Sequence, residues 1–278
     1  MAKKDIKIDT RVKLNNQVEM PIFGLGTFQT QSGEQTRKAV LFALDAGYRL
    51  IDTAAMYGNE KDVGEAVRRS GIPREEVFVT TKLWNSDHGY ERALLAFEES
   101  LERLGLAYVD LYLVHWPVGG LRNETWKAME ALLKRRKCRA IGVSNYMIWH
   151  LEELLNSSST VPAVNQVEFS PYLYQKDLLE FCRSHGIQLE SYSPLTKGHK
   201  LDDPKLLAVA AKYSKSSAQI LIRWALQKEI VVIPKSSRKE KIAENASVFD
   251  FAISPEDMAA LDSFNQNLRT SWDPSKAP

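Results

Sequence analysis

Four side chains of this sequence have types that complement one another in a proton transfer. They belong to Asp52, Tyr57, Lys82 and His115, and all but the tyrosine directly follow short apolar runs. A tyrosine, with an ordinary pKa of about 10, gives up its proton more easily when a nearby cation favours the phenolate. Lys82 would supply that cation, and Asp52 would keep the lysine protonated. His115 would hold an oxygen atom beside the phenol, so we interpret the four residues as a proton-donating catalytic group.

Each of these residues taken alone also has an ordinary structural explanation. Asp52 would cap the segment that follows it, and Lys82 would extend its amine toward solvent. Tyr57 would pack against its neighbours, and His115 would be a satisfied core histidine. The catalytic interpretation is favoured because the four residues fall at consecutive strand ends on one face of the predicted fold.

Such a group needs a scaffold that gathers strand ends. Short apolar runs alternate along the chain with longer stretches of helical period, which is typical of βα units around a parallel sheet. The alternation predicts an α/β fold, a (β/α)8 TIM barrel, with chemistry at the carboxyl ends of its strands. An N-terminal β-hairpin is predicted at residues 10–20. The predicted strands are residues 22–25, 48–51, 77–81, 111–114, 140–143, 163–167, 188–192 and 230–233, and the predicted helices are residues 33–46, 60–70, 90–104, 124–136, 148–155, 176–184, 217–227 and 242–248.

Composition limits the classes of protein to which the chain could belong. Its 278 residues, 44% of them hydrophobic, suit one barrel domain over residues 1–278. A net charge of +2 does not favour nucleic acid as a partner, and no apolar stretch is long enough to predict a membrane span. The two cysteines, Cys138 and Cys182, indicate a reducing compartment, so we expect a cytoplasmic protein. The spacing of histidine and cysteine predicts no metal site.

A second group of polar residues follows the later strands. Ser144 and Asn145 come after the fifth predicted strand, Gln166 lies near the end of the sixth, and Tyr192 ends the seventh. Amide and hydroxyl groups suit the carboxamide of a nicotinamide, and a tyrosine ring could stack on it. Because polar residues are common at strand ends, this interpretation depends on the agreement with the first group.

A basic turn follows the last predicted strand. Residues 234–241 read PKSSRKEK and open a predicted helix. Helix N-termini bind phosphate, and added lysine and arginine suit a second phosphate such as the 2′-phosphate of NADPH. A solvated turn explains the same residues. The glycine pair at positions 24 and 26 lacks the remainder of a Rossmann fingerprint, so any dinucleotide would bind without that fold.

These motifs together resemble the aldo-keto reductase family. The resemblance begins with GYRLIDTA at residues 47–54 and runs in order through most of the chain, from about residue 21 to about residue 262. The sequence is most similar to the short-loop microbial and plant-type members, the prostaglandin F synthase and 2,5-diketo-gluconate reductase group. The later motifs are TKLWN at 81–85, LVHWP at 113–117, GVSN at 142–145, NQVE at 165–168, SYSPL at 191–195, IPKS at 233–236 and IAEN at 242–245.

The resemblance implies a role for each matching position. Tyr57 would be the general acid, Asp52 and Lys82 its tuning pair, and His115 the residue that orients the carbonyl. Ser144, Asn145 and Gln166 would hold the nicotinamide amide under the ring of Tyr192. The remaining cofactor-binding residues would be Gly26, Thr27, Ser193, Leu195, Lys235, Ser236, Ser237, Lys241, Glu244 and Asn245.

Two positions depart from the family pattern. Lys241 stands where the family prefers arginine, and lysine lacks the planar, bidentate contacts of a guanidinium. Arg238 would compensate, so NADPH (NADP+) is the expected cofactor and NADH a weaker alternative. Thr196 stands where many relatives carry glycine, in the loop that would close over the pyrophosphate.

The segment between the fourth strand and the next helix, residues 117–125, is short. We therefore expect an open substrate pocket lined by Phe28, Trp84 and Trp116, with Trp272 at its rim. Such a pocket predicts breadth across aldehydes, ketones and α-dicarbonyls.

Two other classes of protein compete with the reductase. A non-catalytic NADPH-binding regulatory subunit would keep the fold and the cofactor site, but the intact group of Asp52, Tyr57, Lys82 and His115 favours an enzyme. A barrel enzyme for phosphorylated sugars would use the basic turn, yet it leaves Asn145 without a purpose. The sequence thus predicts an NADPH-dependent reductase of small carbonyl compounds, expected to be a monomer.

Overall fold

The computed structural model describes residues 6–277. It begins with the predicted hairpin, whose strands β1 (Arg11–Lys13) and β2 (Glu19–Pro21) pair antiparallel. Leu14 and Met20 of this hairpin are buried against side chains of the barrel interior such as Leu50 and Phe78. The hairpin therefore covers the amino end of the barrel and leaves the carboxyl end open.

Eight parallel strands form the main sheet. Each pairs with its neighbour along the chain, from β3 to β10. The sheet closes because a parallel bridge joins Phe23 to Val232, with hydrogen bonds from Gly24 to the Val232 carbonyl and from Val232 to the Ile22 carbonyl. The (β/α)8 barrel and its N-terminal hairpin are thus confirmed. The barrel strands are β3 (Leu25–Gly26), β4 (Leu50–Asp52), β5 (Phe78–Leu83), β6 (Val109–Val114), β7 (Cys138–Ser144), β8 (Val164–Glu168), β9 (Gln188–Tyr192) and β10 (Val231–Val232).

The helices alternate with the strands and pack outside them. Their apolar faces form one large core with the outer face of the sheet, while a smaller core fills the barrel interior. The helices are α1 (Glu34–Asp45), α2 (Glu60–Arg69), α3 (Tyr90–Leu104), α4 (Arg122–Lys134), α5 (Ile148–Ser157), α6 (Lys176–Ser184), α7 (Pro204–Lys212), α8 (Ser217–Gln227), α9 (Lys239–Ala246) and α10 (Pro255–Asp262).

The sequence did not predict α7 and α10. Each begins with a capping residue followed by proline, Asp203 before Pro204 and Ser254 before Pro255, and the cap side chain accepts a backbone N–H of the first turn. Proline at the first helical position is a start signal because it has no N–H to leave unpaired.

None of the helices within residues 6–277 is long and apolar enough to span a membrane.

Candidate active site

The four proposed catalytic residues meet at the carboxyl end of the barrel. Asp52 is the last residue of β4, Lys82 lies near the end of β5, and His115 follows β6. Tyr57 ends a single 3-10 turn after β4, where Gly58 takes a left-handed conformation with φ of 68°. Because parallel strands end at one rim, residues distant in the sequence become neighbours here.

Lys82 is the centre of this group. Its Nζ donates to Asp52 Oδ1 at 2.7 Å, to the Thr53 carbonyl at 2.9 Å and to Tyr57 Oη at 3.2 Å. An ammonium has three N–H donors, so every one of them has a partner. The Lys82 side chain is fully buried. The contacts with Asp52 and Tyr57 agree with the predicted arrangement.

Burial and the neighbouring charges act in opposite directions on these groups. Burial raises the pKa of Asp52, although Lys82 and Gln166 oppose the rise. Burial alone would lower the pKa of Lys82, but the Asp52 carboxylate and Tyr57 raise it on balance, so the amine stays protonated. Burial also raises the pKa of Tyr57 to about 12, with Lys82 opposing this rise. At neutral pH Tyr57 is therefore a protonated donor beside a cation.

His115 lies across the pocket from the phenol. Its ring centre is 5.6 Å from that of Tyr57 and 5.2 Å from that of Trp84. Burial, assisted by the charge of Lys82, lowers the pKa of His115 well below its ordinary value, so the imidazole is neutral. Its Nδ1 is buried and has no hydrogen-bond partner in the described part of the chain. The ring lines the pocket, where its other nitrogen, Nε2, can meet a ligand.

The predicted nicotinamide residues are linked to one another and to the catalytic group. Tyr192 Oη donates to Asn145 Oδ1 at 2.9 Å, and Asn145 Nδ2 donates to the His115 carbonyl at 3.0 Å. Ser144 Oγ donates to the Gln166 carbonyl at 2.8 Å. All four residues line the same pocket as Tyr57 and His115.

The sequence analysis missed Glu190. This residue lies inside β9 with no exposed surface, and its Oε2 accepts from Gln166 Nε2 at 2.9 Å. The same Nε2 donates to Asp52 Oδ2 at 2.8 Å. The only signal in the sequence was one glutamate in a strand that is otherwise mostly buried.

The pocket has a volume of about 760 Å³ and extends from an aromatic part to a basic part. Phe28, Trp84 and Trp116 line it as predicted, and the ring of Trp272 lies 5.6 Å from that of Trp116. The Trp272 side chain is 63% exposed, so it stands at the rim.

The tail that carries Trp272 is fixed to the barrel by a buried carboxylate. Glu168 accepts from the backbone N–H groups of Thr270 and Ser271, at 2.7 and 3.1 Å, and from the Thr270 hydroxyl. From the other side, Lys197 Nζ donates to the Thr270 carbonyl at 2.6 Å. The sequence predicted Trp272 at the pocket rim, but it gave no signal for the contacts of Glu168 and Lys197 with the tail.

The predicted cofactor-binding residues near the ends of β3 and β9 differ in their access to the pocket. Gly26, Ser193 and Leu195 line it, whereas Thr27 is buried and its hydroxyl donates to the Asp52 carbonyl at 2.8 Å. A Cβ at Gly26 would lie 2.9 Å from the Ile233 carbonyl oxygen, so only glycine fits between these strands.

The basic turn after β10 also divides into two parts. Lys235 and Arg238 line the pocket, and Ser236 Oγ accepts the Arg238 N–H at 3.2 Å. Lys241 instead pairs with Glu244 at 2.5 Å, and it is not among the lining residues of the described chain. Ser237, Glu244 and Asn245 are also outside that lining. A contact of Lys241 with a 2′-phosphate stays a prediction.

Comparisons with known proteins agree with this geometry. Residues 22–266 match the model of the Aldo/keto reductase family. The chain is 51% identical to a glyoxal reductase of Bacillus subtilis, over 95% of this chain and 96% of that protein. It is 48% identical to a morphine 6-dehydrogenase of Pseudomonas putida, over 95% of this chain and 94% of that protein.

Solved structures give the same result. An aldo-keto reductase from a Medee basin deep-sea metagenome library superposes with a TM-score of 0.93 at 46% identity, covering 97% of this chain and 100% of that one. A Bombyx mori aldo-keto reductase in complex with NADP superposes with a TM-score of 0.90 at 38% identity, covering 98% of both chains.

Proposed function

Since the chain belongs to the aldo/keto reductase family, we propose that it reduces aldehydes and ketones to alcohols with NADPH, using Tyr57 as the general acid. It is an oxidoreductase, as are the glyoxal reductase and the morphine 6-dehydrogenase that it resembles. The observation that carries the role of Tyr57 is the contact of one buried ammonium, Lys82 Nζ, with both Tyr57 Oη and Asp52 Oδ1.

The side chains around the pocket divide the reaction between them. Bound NADPH supplies the hydride that reaches the carbonyl carbon. His115, neutral and unpaired at Nε2, donates to the carbonyl oxygen and holds it beside Tyr57. Tyr57 gives its proton to that oxygen, and Lys82 stabilises the phenolate that develops. Asp52 keeps Lys82 charged despite its burial.

Several features of the pocket fit the cofactor. The amide of Asn145 and the hydroxyl of Ser144 suit the nicotinamide carboxamide, and the half-buried ring of Tyr192, which lines the pocket, suits stacking on the nicotinamide. Gly26, with no room for a Cβ, lies next to the pocket beside Lys235. We propose Lys235 and Arg238 for the 2′-phosphate, because both line the pocket while Lys241 pairs with Glu244.

The aromatic part of the pocket supports small carbonyl substrates. Phe28, Trp84, Trp116 and Trp272 surround the open side of Tyr57 without enclosing it. Flat apolar walls select by size and shape more than by specific hydrogen bonds, so we propose breadth across aldehydes and α-dicarbonyls. The similarity to a glyoxal reductase favours the dicarbonyls.

We also propose small-molecule partners and a cytoplasmic location for the protein. A net charge of +2 supports small molecules rather than nucleic acid as partners. Two buried free cysteines support a cytoplasmic protein, since a reducing compartment keeps thiols unpaired. We propose a monomer without a membrane partner, which size-exclusion chromatography with light scattering would check.

The test is oxidation of NADPH or NADH, followed at the reduced-nicotinamide absorbance band, with a panel of aldehydes that includes glyoxal and methylglyoxal. Loss of the general acid in Tyr57→Phe should lower kcat by about 10²–10⁴-fold. Tyr112→Phe is the matched control, because the Tyr112 hydroxyl is buried and without a partner in the described chain. Binding of NADPH by the wild type without turnover would instead indicate the regulatory subunit, an alternative that no comparison supports.

A further inference from the structure

Glu190 is a buried carboxyl group that contacts a pocket residue but has no role in the proposed reaction. It faces Gln166 directly, since the two residues are register partners on β9 and β8. Gln166 is 2% exposed and Glu190 is 0% exposed. Their contact therefore forms part of the floor of the pocket, below the surface that a ligand touches.

The two carboxylates around Gln166 fix which end of its amide faces them. Asp52 Oδ2 and Glu190 Oε2 lie 2.8 and 2.9 Å from the same nitrogen. Carboxylate oxygens accept hydrogen bonds, and an amide nitrogen has two hydrogens to donate. Rotating the amide by 180° would place its oxygen against both carboxylates and lose both hydrogen bonds. The carbonyl oxygen, Oε1, must therefore be the end left for the pocket.

We propose that Glu190 is a positioning residue that locks the Gln166 amide with its carbonyl oxygen toward the nicotinamide carboxamide. This inference rests on the proposed function, because it requires a nicotinamide cofactor. A carboxamide N–H₂ is a donor, so it needs an acceptor at that place. Asp52 alone would hold one hydrogen of the amide, and Glu190 holds the second, which doubles the hydrogen bonds lost in the flipped orientation.

The other oxygen of Glu190 argues against a purely structural purpose. Oε1 is buried and has no hydrogen-bond partner in the described part of the chain. A buried polar atom without a partner lowers stability, and an apolar side chain would avoid that loss. Burial, together with the charge of Asp52, raises the pKa of Glu190 to about 8. Oε2 accepts from Gln166 whether or not Oε1 carries a proton.

The test compares two dinucleotides that differ only at the carboxamide. NADP+ carries the amide, whereas its 3-acetylpyridine analogue carries a methyl ketone and has no N–H to donate to Gln166. Dissociation constants are measured by titration calorimetry for wild type, Glu190→Leu and Glu190→Gln. Glu190→Met replaces the leucine variant if that one does not fold.

We expect Glu190→Leu to reduce the preference for NADP+ over the analogue by about fivefold, which corresponds to one net hydrogen bond. Glu190→Gln keeps an acceptor oxygen and should preserve the preference within about twofold, which separates hydrogen bonding from charge. Gln166→Leu should abolish the preference, and adding Glu190→Leu to that variant should then change nothing further.

An equal loss of affinity for both dinucleotides in Glu190→Leu would show a structural role and overturn the inference, as would an unchanged preference. Failure of the wild type to bind either dinucleotide would overturn the proposed function itself. The two failures are distinguishable because the second concerns binding as such, and the first only the ratio of two dissociation constants.

Discussion

The two ends of the barrel treat buried carboxylates differently. At the amino end, Asp110 of β6 has no exposed surface, and both of its oxygens are satisfied. Arg139 donates to Oδ1 at 2.8 Å, while Arg74 and the Val79 N–H donate to Oδ2 at 2.8 and 2.9 Å. Toward the carboxyl end, Asp52 pairs with Lys82, and Asp52 and Glu190 both accept from the amide nitrogen of Gln166.

The difference separates residues that stabilise the barrel from residues that work in the pocket. Two guanidinium groups and a backbone N–H satisfy one carboxylate at the amino end, so that end carries no surplus of buried negative charge. At the carboxyl end, Glu190 Oε1 and His115 Nδ1 have no partners among the described residues, whereas both oxygens of Asp110 are satisfied although Nε of its partner Arg74 is not. Two unsatisfied acceptors close to one pocket suit a place where a ligand binds.

Replacing the buried aspartate with asparagine at each end of the barrel tests whether the two ends have different roles. Asp52→Asn removes the counter-charge of Lys82, and burial would then favour the neutral amine. The phenolate of Tyr57 would lose its cation, so kcat should fall by about 10²-fold or more, as expected for an impaired general acid. Steady-state kinetics with methylglyoxal and NADPH measures this. In Asp110→Asn, kcat per folded molecule should stay within about twofold, and a large decrease there would contradict the division of roles.

The second prediction concerns stability at the amino end. Asp110→Asn replaces one carboxylate oxygen with an N–H₂ group, which then faces either Arg139 or both Arg74 and the Val79 N–H, and all of these are donors. Breaking a buried ion pair in this way should lower the free energy of unfolding by about 3 kcal/mol. Urea denaturation followed by circular dichroism measures it. The surface pair Lys38–Glu34 offers a control, because Glu34→Gln removes an exposed, solvent-screened ion pair and should leave the unfolding free energy nearly unchanged.

The sequence predicted the functional residues at the strand ends better than those inside the strands. Asp52, Lys82 and His115 were found because each follows an apolar run, and a strand end fixes where such a residue lies. Glu190 gave no comparable signal, since its position inside β9 does not reveal that Gln166 stands opposite. That register depends on how the whole barrel closes, a long-range property that a local pattern does not contain.

The basic turn shows the limit of a motif more sharply. The resemblance gave Lys241 the 2′-phosphate, whereas the structure pairs it with Glu244, three residues further along α9. Arg238, at the residue before this helix, lines the pocket. Ion pairing within a helix turn competes for a lysine, and the sequence alone does not say which partner prevails.

The third prediction concerns the two cations of the basic turn, Arg238 and Lys241. Arg238→Ala should raise the dissociation constant of NADPH by about tenfold, because a guanidinium bound to a phosphate is a strong charge-assisted contact. The dissociation constant of NADH, which has no 2′-phosphate, should change by less than about twofold. Lys241→Ala is the matched control, with an expected change below about threefold for NADPH. A larger effect at Lys241 than at Arg238 would return the 2′-phosphate to the residue named by the family pattern. Fluorescence titration of the wild type and both variants measures these constants.

The smallest expected effect tests whether Glu190 lowers the stability of the carboxyl end. Its pKa is raised from 4.5 to about 8 in the folded protein. Between those values the folded state holds one more proton than the unfolded state, so this group makes the protein less stable as the pH rises through that window. Relative to wild type, Glu190→Leu and Glu190→Gln should therefore both gain unfolding free energy as the pH rises from 5 to 8.

Urea denaturation at pH 5, 6.5 and 8 gives these differences, and an identical pH slope in all three proteins would show that Glu190 does not titrate as proposed. Because the charge of Asp52 acts on Glu190, the pH slope belongs to the pair of carboxyl groups and not to Glu190 alone. The two variants should agree in stability and disagree in cofactor preference, because both remove the titrating group but only leucine removes the acceptor for Gln166. Glu190 thus lowers the stability of the barrel while it orients the amide of Gln166. The satisfied carboxylate of Asp110 at the other end only stabilises the fold.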